Sequence, residues 1–373
     1  MPSYKDLNTS ERVLLGPGPS MAHPRVLRAM AQPLVGHLDP QFLEVMNEVQ
    51  ELLRFVFQTE NEFTLPVSAT GSAGMEAALC NFIESGDEVL VAVNGYFGER
   101  LCDMAGRYGA RVTRLDKPWG EVFDPVEIED QLKKSAPKIV AMVHAETSTG
   151  ALQPVEEISR IVHRYGGLFL LDCVTSLGGL PVKVDEWDID IAYSATQKCL
   201  SCPPGLAPLT VSERARENMC RRSKPVSNWY LDLCLLDKYW GGERTYHHTA
   251  PISMIFALRE GLRLIYEEGL ENRFERHRKN TGMLWDGLEG LGIGLHVQEE
   301  YRLASLTTPR IPQGVDDLAV RRRLLDEYNI EIAGGFGPLA GQVWRIGLMG
   351  YSSRRENVTL LLAALSEILP KKS

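Results

Sequence analysis

Residues 154–174 read PVEEISRIVHRYGGLFLLDCV. Pro154 opens and Gly166 closes a segment with the apolar spacing of an amphipathic helix. The run GLFLLDCV (167–174) follows at once. It is short and continuously apolar, as a strand covered on both faces must be. The same grammar recurs upstream. DEVLVAV (87–93) and KIVAMVHA (138–145) read as buried strands, and GMEAALCNFIESG (74–86) and FGERLCDMAGRYGA (97–110) as helices. Strand alternating with helix predicts an α/β fold whose sheet is mostly parallel and flanked by helices on both faces.

Outward from that core the chain changes character twice. GPGPS (16–20) carries two prolines that forbid regular structure, so residues 1–20 are expected to form an extended arm. Beyond about residue 268, a charged helical stretch (269–292) leads into short strands, ASLTTPRI and QVWRIGLMG, and further helices. The expected division is an arm over 1–20, a large domain over 21–267 and a smaller C-terminal α+β domain over 268–373.

The chain has 373 residues, a net charge of -9 and a pI near 5.5. That balance argues against nucleic acid or an anionic membrane as a partner. No apolar run is long enough to span a bilayer, the N-terminus lacks the apolar core of a signal peptide, and the terminal PKKS is not a peroxisomal address. All seven cysteines lie between Cys80 and Cys234, a scatter that suits reduced thiols better than a disulfide framework. A cytoplasmic protein is expected. Cys199 and Cys202 form a C-x-x-C, but no second pair stands at zinc-site spacing and Pro203-Pro204 follows directly, so no metal is expected there.

In a parallel sheet, ligands bind beyond the carboxyl ends of the strands. Three groups of residues fall there. Thr70, Gly71 and Ser72 precede a helix, where free N–H groups and the helix dipole suit a phosphate; simple capping by Ser72 explains them equally well. Asp172 closes the strand LFLLD, and a carboxylate in that place needs a cation or strong donors, unless it merely caps the next turn. Lys198 follows the candidate strand DIAYSA. A lysine at one strand end and an aspartate at another are what pyridoxal phosphate requires, the lysine for a covalent imine and the aspartate to keep the ring nitrogen protonated. Arg345, within QVWRIGLMG, is flanked by apolar residues and calls for an anion, its planar fork suiting a carboxylate; an ordinary edge-strand arginine explains it equally well.

The stretches GPGPS, ATGSAGMEAAL, NGYFGER, HAETSTGALQP, LLDCVTSLGG, YSATQKCLSCPPG, TYHHTAP and VWRIGLMG occur in one order along nearly the whole chain. In them the sequence resembles the class V aminotransferases of fold type I, closest to those that act on alanine and glyoxylate or on serine and pyruvate. The resemblance implies a seven-stranded, mostly parallel sheet and pyridoxal phosphate joined to Lys198, with Asp172 on the pyridine nitrogen. Phe97 would stack on the ring where some relatives carry tryptophan. Thr147 would stand near the phenolic oxygen. Thr70, Gly71, Ser72 and Gln197 would contact the phosphate, although relatives can carry histidine at the place of Ser72. Tyr246 and Thr249, in YHHT, would reach the phosphate of a neighbouring subunit, which implies a homodimer with shared active sites. Arg345 would hold the substrate carboxylate. Gly36 and His37, in VGHLDPQF, are candidates for the substrate pocket, with a plain loop as the alternative.

The reaction expected is a ping-pong transfer of an amino group from a small amino acid, alanine or serine, to glyoxylate, giving glycine and a 2-oxo acid such as pyruvate. A serine–pyruvate transferase is the near alternative. A cysteine desulfurase would place histidine before the lysine, where Gln197 stands, and a cysteine on a late mobile loop, whereas no cysteine follows Cys234. A dehydrogenase fails on the missing G-x-G-x-x-G. A cofactor-free scaffold on the same fold would not need Asp172, Lys198 and Arg345 together.

Overall fold

The computed structural model describes residues 4–370; the Lys-Ser pair that ends PKKS and its preceding Lys371 lie outside them. Seven strands form the central sheet: β1 (Thr64–Val67), β2 (Glu88–Val93), β3 (Arg111–Asp116), β4 (Ile139–Val143), β5 (Leu168–Asp172), β6 (Ile191–Tyr193) and β7 (Ala207–Val211). Their spatial order is β1-β7-β6-β5-β4-β2-β3. All neighbours run parallel except β7, which is antiparallel to both β1 and β6. The α/β fold with a mostly parallel seven-stranded sheet is as the sequence leads one to expect.

The strands form where the chain offers unbroken apolar runs. β4 and β5 are buried at every position, and Val143 pairs with Asp172 at their carboxyl ends. Helices such as Gly71–Cys80, Tyr96–Arg107 and Glu156–Arg164 cover the sheet. The last of these begins two residues after Pro154, and Gly166 leaves it at φ +77°, a left-handed conformation that glycine adopts without steric cost.

A second, smaller core gathers Leu284, Leu288, Trp344, Ile346 and Leu361 around the three-stranded sheet of Leu306–Thr307, Trp344–Gly347 and Ala333–Gly334. Leu15 belongs to this core, so the N-terminal arm is packed into the C-terminal part of the molecule and does not stand apart from it. Val13–Leu14 form a short parallel pairing with Ile330–Glu331, immediately before the prolines end regular structure. From there the arm crosses to the sheet: Ser20 N–H donates to Gln197 O at 2.8 Å and Ser20 Oγ to Lys198 O at 2.7 Å. No helix among the described residues is long and apolar enough to cross a membrane.

Candidate active site

Five strand ends converge on one cavity. β5 ends on Asp172 and β6 runs on through Ser194 to Lys198. β2 leads into Tyr96 and Phe97, β4 into Thr147, and β1 into Gly71. The cavity has a volume of about 270 Å³, and Lys198, Asp172, Phe97, Thr147, Gln197, Gly71, Ser72 and Arg345 all line it. Larger clefts exist, including one of about 580 Å³ beside Arg25 and Glu48. They hold none of this chemistry.

Lys198 is 9% exposed. Its amine donates to Pro17 O, so the arm closes over it. Pro17 is followed by Gly18 at φ +112°, where an added Cβ would lie 2.8 Å from Lys198 Cδ and Nζ. Burial, then the Arg345 charge, pull the lysine down to about 8. At that value a substantial fraction of the amine is neutral near physiological pH and able to act as a nucleophile or base.

Asp172 is buried, and its carboxylate is held on both oxygens. Tyr193 O–H donates to Oδ2 at 2.6 Å and Val174 N–H to Oδ1 at 2.8 Å. Burial nonetheless pushes it up to about 6, with the Tyr193 bond opposing that rise. A carboxylate raised by desolvation and still able to ionise is ready for a cationic partner.

Arg345, 4% exposed, sits in the strand Trp344–Gly347. Its Nε donates to Gly334 O at 2.8 Å, and its guanidinium lies 3.9 Å from the centre of the Phe336 ring. Among the described residues no carboxylate lies within 4.0 Å of it. Burial lowers it to about 10, with the charge of Glu146 opposing that fall.

The loop after β1 differs from its simplest reading. The helix starts at Gly71, not at Gly74, and Ser72 does not cap it. Ser72 stands inside the first turn and its hydroxyl takes a bond from Arg100 Nη1 at 3.1 Å. Thr70 occupies the N-cap position with no side-chain bond to the helix, which leaves the first amides without a side-chain acceptor. Gly71 is required for the close approach, since a Cβ there would stand 2.6 Å from Ala195 Cβ. Thr70 itself is exposed and does not line the cavity.

Tyr246, Thr249 and Gly36 are also outside this cavity. Tyr246 is 58% exposed, its hydroxyl is 3.5 Å from Thr249 Oγ1, and its ring lies 5.2 Å from that of His37, next to Gly36. The neighbouring histidines are used structurally: His247 stacks on Trp229, and His248 Nε2 is 2.7 Å from Ser68 Oγ. Cys199 and Cys202 are buried thiols that donate to the carbonyls of Thr175 and Ala257, and burial pushes them up to about 11 and about 12.

Several residues at the site escape a reading of the sequence. Tyr193 looks like a core aromatic until its hydroxyl is seen on Asp172. Thr175 Oγ1 pairs with Thr147 Oγ1. Glu146 is buried behind Phe97, taking bonds from Ser148 Oγ at 2.6 Å and Phe97 N–H at 3.2 Å, and burial pushes it up to about 7. Arg100 lines the cavity as a further cation.

The model of the family described as aminotransferase class V matches residues 12–360. The chain is a class V aminotransferase. It is 57% identical to the crystal structure of alanine–glyoxylate aminotransferase from Nostoc sp., covering 99% of this chain and 98% of that one with a TM-score of 0.98. It is 45% identical to (S)-ureidoglycine–glyoxylate transaminase of Bacillus subtilis, over 99% of this chain and 93% of that protein. Alanine–glyoxylate aminotransferase of Mus musculus is 42% identical, over 98% of this chain and 89% of that protein.

The aminotransferase uses pyridoxal phosphate, and the residues in place fit that group. The first turn of Gly71–Cys80 is uncapped beside Ser72 and Gln197, which suits a phosphate, and a buried lysine and carboxylate face the same space.

Proposed function

We propose that this enzyme transfers the amino group of a small amino acid, alanine or serine, to glyoxylate, and so produces glycine and a 2-oxo acid. The observation that carries the reading is the cavity shared by a buried, weakly basic Lys198, the carboxylate of Asp172 and an arginine without a carboxylate partner. The names of the relatives at 57%, 45% and 42% identity all specify glyoxylate, which supports the acceptor; they differ in the donor. The cytoplasm is the proposed location, in keeping with seven free cysteines.

When bound, pyridoxal phosphate supplies an electron sink for the negative charge that develops at the donor Cα. Lys198 would hold its aldehyde carbon. As a free amine, Lys198 Nζ would move the proton at the donor Cα, a role helped by the burial that lowers its proton affinity. Asp172 would keep the ring nitrogen protonated, its charge held in place by Tyr193. Phe97 would pack on the ring face, Thr147 would stand by the phenolic oxygen, and Gly71, Ser72 and Gln197 would take the phosphate. Arg345 would orient the donor through its carboxylate by a two-point contact.

The resemblance assigns Tyr246 and Thr249, with Thr70, to phosphate binding, and the first two would serve a neighbouring subunit. Their exposure on the single chain supports a homodimer with shared sites. Gly36 would likewise belong to a pocket that a second chain completes.

The test is covalent mapping. Borohydride reduction of the holoenzyme should tag Lys198, and Lys198→Ala should carry no tag and lose several powers of ten in turnover with alanine and glyoxylate. A tag on another lysine, or ordinary turnover in the variant, would refute the reading. Turnover of alanine, serine and (S)-ureidoglycine against glyoxylate and pyruvate fixes the donor.

A further inference from the structure

The helix Tyr96–Arg107 begins beside the cavity, and its second turn brings Arg100 back towards the start of the helix Gly71–Cys80. Arg100 Nη1 meets Ser72 Oγ at 3.1 Å. The guanidinium lies 5.0 Å from the centre of the Phe97 ring and 5.2 Å from that of Tyr96. Among the described residues no carboxylate stands within 4.0 Å of it, although its neighbour Arg107 on the same helix pairs with Asp103 at 2.9 Å. Arg100 is thus fixed by a hydroxyl and two aromatic faces, and its charge is left for something else.

An exposed arginine lying on aromatic rings is common and by itself means little. Two features separate Arg100 from that case. It lines the cavity that holds Lys198 and Asp172. The hydroxyl it meets belongs to the first turn of a helix whose amides have no side-chain cap, so its positive charge adds to the positive end of the helix dipole. A neutral ligand gains nothing from such an arrangement. A doubly charged anion does, because a helix end alone offers only about half a charge against nearly two.

We infer that Arg100 is the cationic anchor for the cofactor's phosphate, completing from within the same chain the cradle built by the helix start, Ser72 and Gln197. The inference rests on the cofactor reading above and adds a residue to it. Arg345 lies against Phe336 and donates to Gly334 O, whereas Arg100 meets Ser72 in the first turn of the helix. The two guanidiniums therefore divide the labour, Arg100 taking phosphate and Arg345 carboxylate. The competing source of an anion at Arg100 is the second carboxylate of a dicarboxylic substrate.

The test compares two aldehydes. The full-length enzyme is freed of cofactor and titrated with pyridoxal phosphate and with pyridoxal, which lacks the phosphate, following the absorbance of the Lys198 adduct. Arg100→Gln should weaken pyridoxal phosphate by ~10- to 100-fold, the range for a hydrogen bond to a charged group, and leave pyridoxal unchanged. Arg100→Lys should recover part of the loss, and inorganic phosphate should compete with reloading less well in Arg100→Gln than in the parent. If Arg100→Gln fails to fold, Arg100→Lys alone must still reduce the preference for the phosphorylated aldehyde. An unchanged ratio of the two affinities overturns the inference. If instead the ratio holds while KM for aspartate rises in the loaded variant, Arg100 reads the substrate and the phosphate assignment is wrong. Failure of the parent enzyme to bind either aldehyde at Lys198 would sink the cofactor reading itself, a different result.

Discussion

Replacing Tyr193 by phenylalanine removes one oxygen from the site and leaves the packing of the ring intact. Tyr193 is fully buried, and its hydroxyl donates to Asp172 Oδ2 at 2.6 Å. Among the described residues the only other donor on the carboxylate is Val174 N–H at 2.8 Å. A hydrogen bond to a charged group contributes about 1.5–3 kcal/mol. At about 1.4 kcal/mol per pH unit, its loss should raise Asp172 by roughly one to two units. Burial has already pushed this carboxyl up to about 6, and the Tyr193 bond is what restrains it. The sign is therefore fixed: in Tyr193→Phe the acid protonates at higher pH, and less of it is anionic at neutrality.

The consequence is read in the pH dependence of kcat. The acidic limb, where activity falls as Asp172 takes a proton, should move to higher pH by about one unit or more. At pH 7 kcat should fall by ~2- to 10-fold, the loss of anionic Asp172 when a value near 6 rises by one to two units. Lys198 should remain open to borohydride tagging, and the unfolding midpoint should move little, because the volume of the side chain is conserved. A variant with kcat within twofold of the parent and an unmoved acidic limb would refute the reasoning, since the bond would then have no effect on the charge of Asp172.

Two further outcomes are expected. Arg345→Gln should raise KM for the amino donor by ~10- to 100-fold with the cofactor's absorbance unchanged; equal KM values in variant and parent would show that the carboxylate is held elsewhere. Mixing and refolding Lys198→Ala chains with chains carrying both Tyr246→Phe and Thr249→Ala should give hybrids in which one site has every residue intact, and activity above the sum of the two parents. Activity no greater than that sum would place Tyr246 and Thr249 outside the partner's site.

The centre of the site was legible in the sequence because cost marks it. A carboxylate ending the apolar run LFLLD, a lysine beyond the next strand and an arginine inside VWRIG are each expensive to bury, and each expense points to a ligand. What remained hidden has no such signature. Arg100 occupies a helix rich in charged residues, where one more arginine looks like solvent-facing surface; only the folded chain brings it to Ser72. Tyr193 reads as core, and its hydroxyl gains a role from a pairing that sets Tyr193 beside Asp172 in adjacent strands. The helix start at Gly71 was obscured because glycine and serine there carry no apolar period, though the tight packing on Ala195 demands the glycine. The edge strand β3 escaped for the opposite reason: RVTRLD is half exposed and charged, and offers no continuous apolar run. The arm over Lys198 is irregular backbone, held by hydrogen bonds that no local pattern announces.

The charges around the cavity also couple its two halves. Lys198, Arg100 and Arg345 bring three potential positive charges, against Asp172 on the cavity wall and Glu146 behind it. Glu146 is itself raised to about 7, so its charge is only partial near neutrality. The pocket therefore carries a positive excess that favours anions, which are what a phosphate and a substrate carboxylate supply. Part of the depression of Lys198 comes from Arg345 and, more weakly, from Arg100. An anion settling on either arginine cancels some of that repulsion and raises the proton affinity of Nζ. If Arg345 orients the donor as proposed, it would thus also strengthen the base proposed to act on it, and only once the donor's carboxylate has arrived. An amine that is weakly basic while the pocket is empty, and more basic when the substrate is seated, suits a group that must first be neutral to form a bond and later take a proton.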